Sequence, residues 1–377
     1  MDLALRDPRA IHLEIGEPDA VPAPHVVEAV AAAARDGRTG YTSSVGLEAL
    51  RAAAAERVSG THGRPTGADE VVVTHGAMHG LAMAMATLLA PGDEVLLPDP
   101  AFPNWTMAAV AAGAVPRAYP ARATTGFVPD PAQVEARVTP RTRALVVCSP
   151  NNPTGAVYPA HVVAGLVDVA RRHDLWLLSD ECYEAITFGV PHVSPLTFDT
   201  DGRVLAFFSV SKTYALTGWR TGYVVVPAPE VVEALGHLAE ATVACPSAPG
   251  QIAALAALTG PQEGVAAAVA SYRERRDAAC ALLAERGVRH VTPRGAFYLM
   301  VDVETAQTDA FARDLLTRRH VAVAPGSTFG QGAAGMVRVS LAAPRDLLLD
   351  GLARLADEVV GVNGDVRTRA GTVPVSA

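Results

Sequence analysis

The chain has 377 residues, with 31 lysines and arginines against 39 acidic residues, a net charge of −8, and half of its residues are hydrophobic. A mixed, mildly acidic surface argues against a general nucleic-acid binder, and the apolar half supplies a sizeable core for one large domain or two to three smaller ones. Cys148, Cys182, Cys245 and Cys280 form no CxxC pair, the N-terminus MDLALRDPRAIH carries no leader pattern, and no apolar stretch is long enough to cross a bilayer, so a reduced, cytoplasmic protein that binds no membrane is expected.

In chain order, the first apolar run is EVVVT (70–74), followed by a helix-like stretch at 76–90 and EVLLP (94–98). A second helical stretch, 103–112, leads towards ALVVC (144–148), and a third, 159–173, towards LWLLS (175–179). Continuous Val/Leu runs between amphipathic helices predict a mostly parallel sheet covered on both faces. VLAFFS (204–209) and GYVVV (222–226) follow with little helix between them, so part of the sheet is expected to be antiparallel. Beyond 228 the pattern turns helical, with a charged helix at 262–287. Short strands are then predicted at 297–303, 321–325 and 337–342, with a last helix at 344–360. Residues 362–377 read as a flexible tail.

Ligands of open α/β sheets bind beyond the carboxyl ends of the strands. Asn152 follows the 144–148 run, Asp180 and Tyr183 follow 175–179, Ser209 and Lys212 end or follow 204–209, and Gly76 and Ala77 open the helix after 70–74. Lys212 is the only lysine in the chain, beside 30 arginines. A lysine amine forms a Schiff base with an aldehyde. A helix N-terminus with Arg220 suits a phosphate, a carboxylate suits a protonated ring nitrogen, and a phenol with an amide suits a ring oxygen. Those requirements meet in pyridoxal 5′-phosphate. Asn151 and Asn152 divide as turn residue and ligand, Asn152 being preferred because it precedes Pro153. His75 and His79 have the i,i+4 spacing of a metal pair without a third ligand, so no metal is assigned. No G-x-G-x-x-G follows the first strand, which argues against a dinucleotide enzyme.

The segments EIGEPD (14–19), GYTSSVGLEALR (40–51), PDPAFPNW (98–105), NNPTG (151–155), SDECY (179–183), SVSKTYALTGWRTGY (209–223), PGSTFG (325–330) and VRVSLA (337–342), in this order, resemble the fold-type I PLP enzymes of the class I/II aminotransferase family, most of all its aspartate/aromatic aminotransferase-like subgroup. The resemblance runs over about residues 10–359. It implies an α/β fold whose large domain, 36–265, holds a mostly parallel seven-stranded sheet between helices. It also implies a small α+β domain built from 1–35 and 266–361. It implies a homodimeric aminotransferase that moves an amino group from an L-amino acid to a 2-oxo acid through a Lys212 Schiff base. The alternative on the same fold is a lyase, replacement or cyclisation enzyme.

Residue by residue, the resemblance makes Lys212 the Schiff-base lysine and proton carrier, and Asp180 the partner of the pyridine nitrogen. Tyr183 and Asn152 become donors to the ring oxygen, and Phe102 the ring that stacks on the cofactor. Ser209, Arg220 and the amides of Gly76, Ala77 and Met78 become the phosphate cup. Tyr41 would reach the neighbouring subunit's cofactor, Arg338 would pair with the substrate α-carboxylate, and Gly16 would pass beside the substrate. The chain departs from the pattern in three places. The helical arm that often precedes EIGEPD is mostly missing, Ala20 stands where an aromatic is usual, and HGAMHG offers no hydroxyl at Ala77 or Met78.

Overall fold

The computed structural model describes residues 2–370, with side chains for residues 3–361. The larger unit is built on β1 (Val71–Thr74), β2 (Glu94–Asp99), β3 (Val115–Pro120), β4 (Thr142–Cys148), β5 (Trp176–Asp180), β6 (Val204–Ser209) and β7 (Gly222–Val225). Their spatial order is β1-β7-β6-β5-β4-β2-β3. All run parallel except β7, which is antiparallel to both neighbours. Two covered faces explain the unbroken apolar runs. Leu145 and Val147 of β4 pack with Val163 and Leu166 of the helix Ala160–Arg172, whereas Ala144 and Val146 pack with Leu81 and Met85 of α1 (Ala77–Leu88).

The reversal of β7 follows from what precedes it. The link from β6 holds only the short helix Val210–Thr213 and the turn Thr217–Trp219. It carries no long crossover helix of the kind a parallel return uses, so the chain comes back antiparallel. Six strands coincide with the apolar runs of the sequence. The seventh, β3 (VPRAYP), lies on the sheet edge with Val115, Arg117 and Ala118 exposed. Its two prolines are tolerated there, and its half-exposed face leaves no apolar run to read.

The smaller unit holds a four-stranded antiparallel sheet ordered Ala324–Pro325, Met336–Ser340, Tyr298–Asp302, His290–Val291. The single strand expected at 321–325 is split. Val321–Ala322 pairs parallel with Ile11–His12, while Ala324–Pro325 pairs with Met336–Ser340. Ile11 and Leu13 enter the core of this unit beside Leu348 and Leu352. The helix Pro24–Arg35 does not follow them: Val26 and Val30 pack with Leu50, Val73 and Ala253 of the larger unit, a difference from the expected grouping of residues 1–35. The last helix, Arg345–Ala370, overlaps the start of the expected tail, and residues 371–377 of that tail lie outside the described residues.

Glu94 ties three strands together. It is wholly buried, and its carboxylate accepts hydrogen bonds from Thr139 Oγ1 (2.6 Å), Arg117 Nη2 (3.0 Å) and Arg141 Nη2 (2.9 Å). The Thr139 hydroxyl, acting against burial and with both guanidiniums, holds the carboxyl at about 2, below its ordinary 4.5. A carboxyl depressed by folding contributes stability above its ordinary value and loses it as pH falls through the folded one. Glu94→Gln is expected to lower stability at pH 7 by about 1–2 kcal/mol, the scale of a charge-assisted hydrogen bond with exposed partners. The urea midpoint of the variant should also fall less between pH 5 and pH 3, where the Glu94 carboxyl of the unfolded wild-type chain takes up a proton and that of the folded chain does not.

Candidate active site

The carboxyl ends of β4, β5 and β6 and the first residue of β7 lie in register, with Cys148 beside Asp180, Asp180 beside Phe207, and Ser209 beside Gly222. Above them opens a cavity of about 580 Å³ between the two units. Of the residues singled out from the sequence, it gathers Gly16, Ala77, Met78, Phe102, Asn152, Asp180, Tyr183, Ser209, Lys212, Arg220 and Arg338. Gly76 sits just behind Ala77 as the N-cap of α1. Tyr41 does not line the cavity; it stands 93 % exposed on the surface.

One end of the cavity is a cradle of donors. Gly76 has φ +79°, a backbone state that favours glycine, and it turns the first amides of α1 towards the cavity end of the sheet. A Cβ there would stand 2.8 Å from Arg220 Nη2. Arg220 is itself left-handed (φ +53°), and its Nη1 donates to Thr217 O at 2.7 Å. Ser209 caps the short helix by accepting from Ser211 N (3.1 Å), and its hydroxyl lies 2.9 Å from Ser211 Oγ. A helix N-terminus, a guanidinium and two hydroxyls on converging elements form an anion site.

The middle of the cavity holds a buried carboxylate. Asp180 accepts from Trp105 Nε1 (3.2 Å) and from Cys182 N (3.2 Å), both neutral donors. Burial raises its carboxyl above the ordinary range against those bonds, and the nearby Glu181 charge adds to the rise. Tyr183 Oη lies 2.9 Å from Tyr298 Oη, and burial pushes its phenol well above the ordinary value, so it stays neutral. Phe102 meets Trp105 edge to face at 6.0 Å. Lys212 Nζ donates to Gly16 O at 2.6 Å.

At the other end, Arg338 is buried between the rings of Tyr298 (4.3 Å) and Phe329 (4.8 Å). Its Nη1 donates to Asn152 Oδ1 (2.8 Å) and its Nη2 to Glu14 O (2.6 Å), while Nε is buried without a partner. Asn151 instead folds back locally, its Oδ1 accepting from Thr154 N and Oγ1. His79 Nδ1 accepts from His75 N at 3.2 Å, so the spacing that resembled a metal pair is closed by a local bond.

Sequence reading missed Ser211, Trp105 and Tyr298. Ser211 and Trp105 stand inside the quoted motifs SVSK and PAFPNW, where their neighbours drew the attention. Tyr298 lies in a buried strand whose apolar pattern hides a polar tip. Its placement constrains Gly16, since a Cβ at residue 16 would fall 1.8 Å from Tyr298 Oη.

Residues 8–354 match the family described as aminotransferase class I and II. The chain is 38 % identical to an aspartate/prephenate aminotransferase of Thermus thermophilus, over 92 % of this chain and 90 % of that protein. It is 37 % identical to an arginine–pyruvate transaminase of Pseudomonas aeruginosa, over 91 % and 88 % respectively. Among solved structures, a Thermus thermophilus aspartate aminotransferase with maleate superposes with a TM-score of 0.89 at 36 % identity, covering 95 % of this chain and 94 % of that one. An alanine aminotransferase of Pyrococcus furiosus superposes with a TM-score of 0.91 at 33 % identity, covering 96 % and 94 %. The chain therefore belongs to the class I and II aminotransferases, pyridoxal-phosphate enzymes of fold type I that move an amino group from an amino acid to a 2-oxo acid.

Proposed function

We propose that Lys212 carries the cofactor covalently and moves the proton of the transamination, with Asp180, Tyr183 and the Arg220 cradle holding the cofactor and Arg338 holding the substrate. The observation that carries this reading is the convergence, in one cavity, of the chain's only lysine, a buried carboxylate with neutral donors, and an anion cradle. The donor set fits pyridoxal 5′-phosphate on two counts. A methyl group at Gly76 would fill the cradle beside Arg220, and the buried Asp180 carboxylate suits a cationic ring nitrogen in place of water.

The bound cofactor supplies an electron sink for the substrate Cα. The side chains do the rest. Lys212 Nζ would take the proton from that carbon and return it across the same bond system. Asp180 keeps a proton on the ring nitrogen. Tyr183, neutral at physiological pH, and Asn152 donate to the ring oxygen, and Phe102 covers the ring. Ser209, Arg220 and the amides of Gly76, Ala77 and Met78 take the phosphate. Arg338 offers its guanidinium, whose Nε has no partner, to the α-carboxylate, and the Tyr298 and Phe329 faces exclude water from that pair, which strengthens it. Gly16 leaves room where the substrate passes.

The working form in this reading is a cytoplasmic homodimer, with Tyr41 reaching the partner's cofactor. The 93 % exposure of Tyr41, a large aromatic, supports that role, and the four free cysteines support a reducing compartment. Among the described residues no single helix is long and apolar enough to cross a membrane. The domain division proposed is a large unit over about 24–265, and a small unit from the residues before it and 266–361.

Borohydride reduction of the holoenzyme is expected to fix the cofactor on Lys212, and a peptide map without modified Lys212 overturns the reading. Added alone, a substrate amino acid should convert the cofactor stoichiometrically to its amine form; steady release of ammonia would count against transfer. Arg338→Lys keeps the charge but loses the planar fork. Loss of about 2–3 kcal/mol of charge-assisted hydrogen bonding should lower kcat/KM about 30- to 150-fold, with the cofactor still bound.

A further inference from the structure

The segment Asp180–Glu184 alternates in direction. Asp180 and Tyr183 face the cavity, while Glu181 and Glu184 turn behind it into a buried layer. There Glu181 is wholly buried; its Oε1 accepts from Ser194 Oγ (2.8 Å), and its Oε2 lies 2.7 Å from His192 Nε2. Glu184 Oε1 accepts from Arg57 Nη2 (2.8 Å) and Nε (3.0 Å), and its Oε2 lies 3.0 Å from His62 Nε2. One nitrogen of each imidazole and one Glu181 oxygen fall within 4.8 Å of one another. His62 is itself buried and stacks on Phe208, whose own strand runs beside Asp180.

The layer has a charge balance to satisfy. Two carboxylates are buried side by side with the cavity's Asp180, and Arg57 neutralises one of them. His192 presents Nε2 to Glu181, and its Nδ1 is buried without a partner. His62 has no such orphan, and it faces Glu184, Glu181, Arg57 and His192 together. Burial works against a charge on it, yet the Glu184 hydrogen bond and the Glu181 charge raise it above the ordinary histidine value. His62 is thus the group placed to serve as the second cation of the layer.

We propose that His62 is a positioning residue: its charge, set behind the Asp180–Glu184 segment, offsets Glu181 and so leaves Asp180 as the ionised carboxylate facing the cofactor. This rests on the proposed role of Asp180. Glu181 and Asp180 are adjacent and like-charged in a low-dielectric setting, so an uncompensated Glu181 drives a proton onto Asp180. With His62 in place that proton is not needed, and Asp180 keeps its charge for the ring nitrogen.

The test is a double-mutant cycle on the holoenzyme. His62→Gln keeps a hydrogen-bond donor near Glu184 and removes the charge. It is expected to lower kcat about tenfold with KM for the amino acid within about threefold, and to move the acid limb of the kcat–pH profile up by about one unit. In the His62→Gln/Glu181→Gln double variant both effects should largely disappear. If His62→Gln proves unstable, Glu181→Gln alone should move the acid limb down. The proposal is overturned if His62→Gln leaves kcat and the acid limb unchanged, if Glu181→Gln fails to restore them, or if Glu181→Gln alone moves the limb the other way. Failure of the Asp180 reading is separate: Asp180→Asn would then leave the wild-type kcat and cofactor affinity unchanged.

Discussion

A carboxylate buried at the end of a central strand, with neutral partners only, sets the terms for the rest of this structure. Asp180 is 7 % exposed and held by an indole and a backbone amide. A charge in that position is costly unless a cation arrives. The sheet register places the means of supplying one nearby, because Ser209 and the link bearing Lys212 start on the adjacent strand, and the amides of α1 start two strands further on. The same constraint explains β7. A long crossover helix after β6 would leave no short link to present Lys212 and Arg220 on the rim, so the antiparallel return and the chemistry share one cause.

The N-terminal segment joins the two units across this rim. Leu13 is anchored in the smaller unit, accepting from Ser340 N (2.7 Å) and donating to Ala322 O (2.9 Å). The next residues turn their carbonyls to the cavity: Glu14 O accepts from Arg338 and Gly16 O from Lys212. One short stretch therefore touches the cations at both working ends. Thr217 Oγ1 to Glu17 (2.7 Å) and Arg275 to Asp19 (2.7 Å) fasten its far side. Arg338 and Lys212 are thus both tied to this segment through backbone carbonyls, which side-chain substitution cannot easily remove.

What could be read from the sequence divides along physical lines. Strands buried on both faces announce themselves as unbroken Val/Leu runs, and β1, β2, β4, β5, β6 and β7 were legible for that reason. β3 was not, because its edge position leaves most of its residues exposed or half-buried and accepts proline. The split at 321–325 was hidden because pairing partners, not propensity, decide it. Polar residues at strand ends could be listed from spacing alone, yet their grouping into one cavity needed the sheet order. Tyr298 and the layer containing His62, Glu181 and His192 were invisible, since residues 62, 181 and 192 come from a helix end, a strand end and a loop that only tertiary packing joins. The helix Pro24–Arg35 was grouped with the wrong unit because its apolar face reads the same whichever surface covers it.

The solitary lysine illustrates how composition and chemistry separate. Arginines make most of the ion pairs among the described residues, from Glu94 to Glu184 and Glu358. A guanidinium suits such work, being permanently charged and able to bond a carboxylate at two points. It is unsuited to the position of Lys212 for the same reason: it cannot give up its proton, so it can neither attack an aldehyde nor carry a proton from carbon to carbon. Lys212 has no carboxylate partner among its hydrogen bonds, only the carbonyl of Gly16. The chain's one lysine lies where the proposed chemistry calls for a cation that can also become a neutral base.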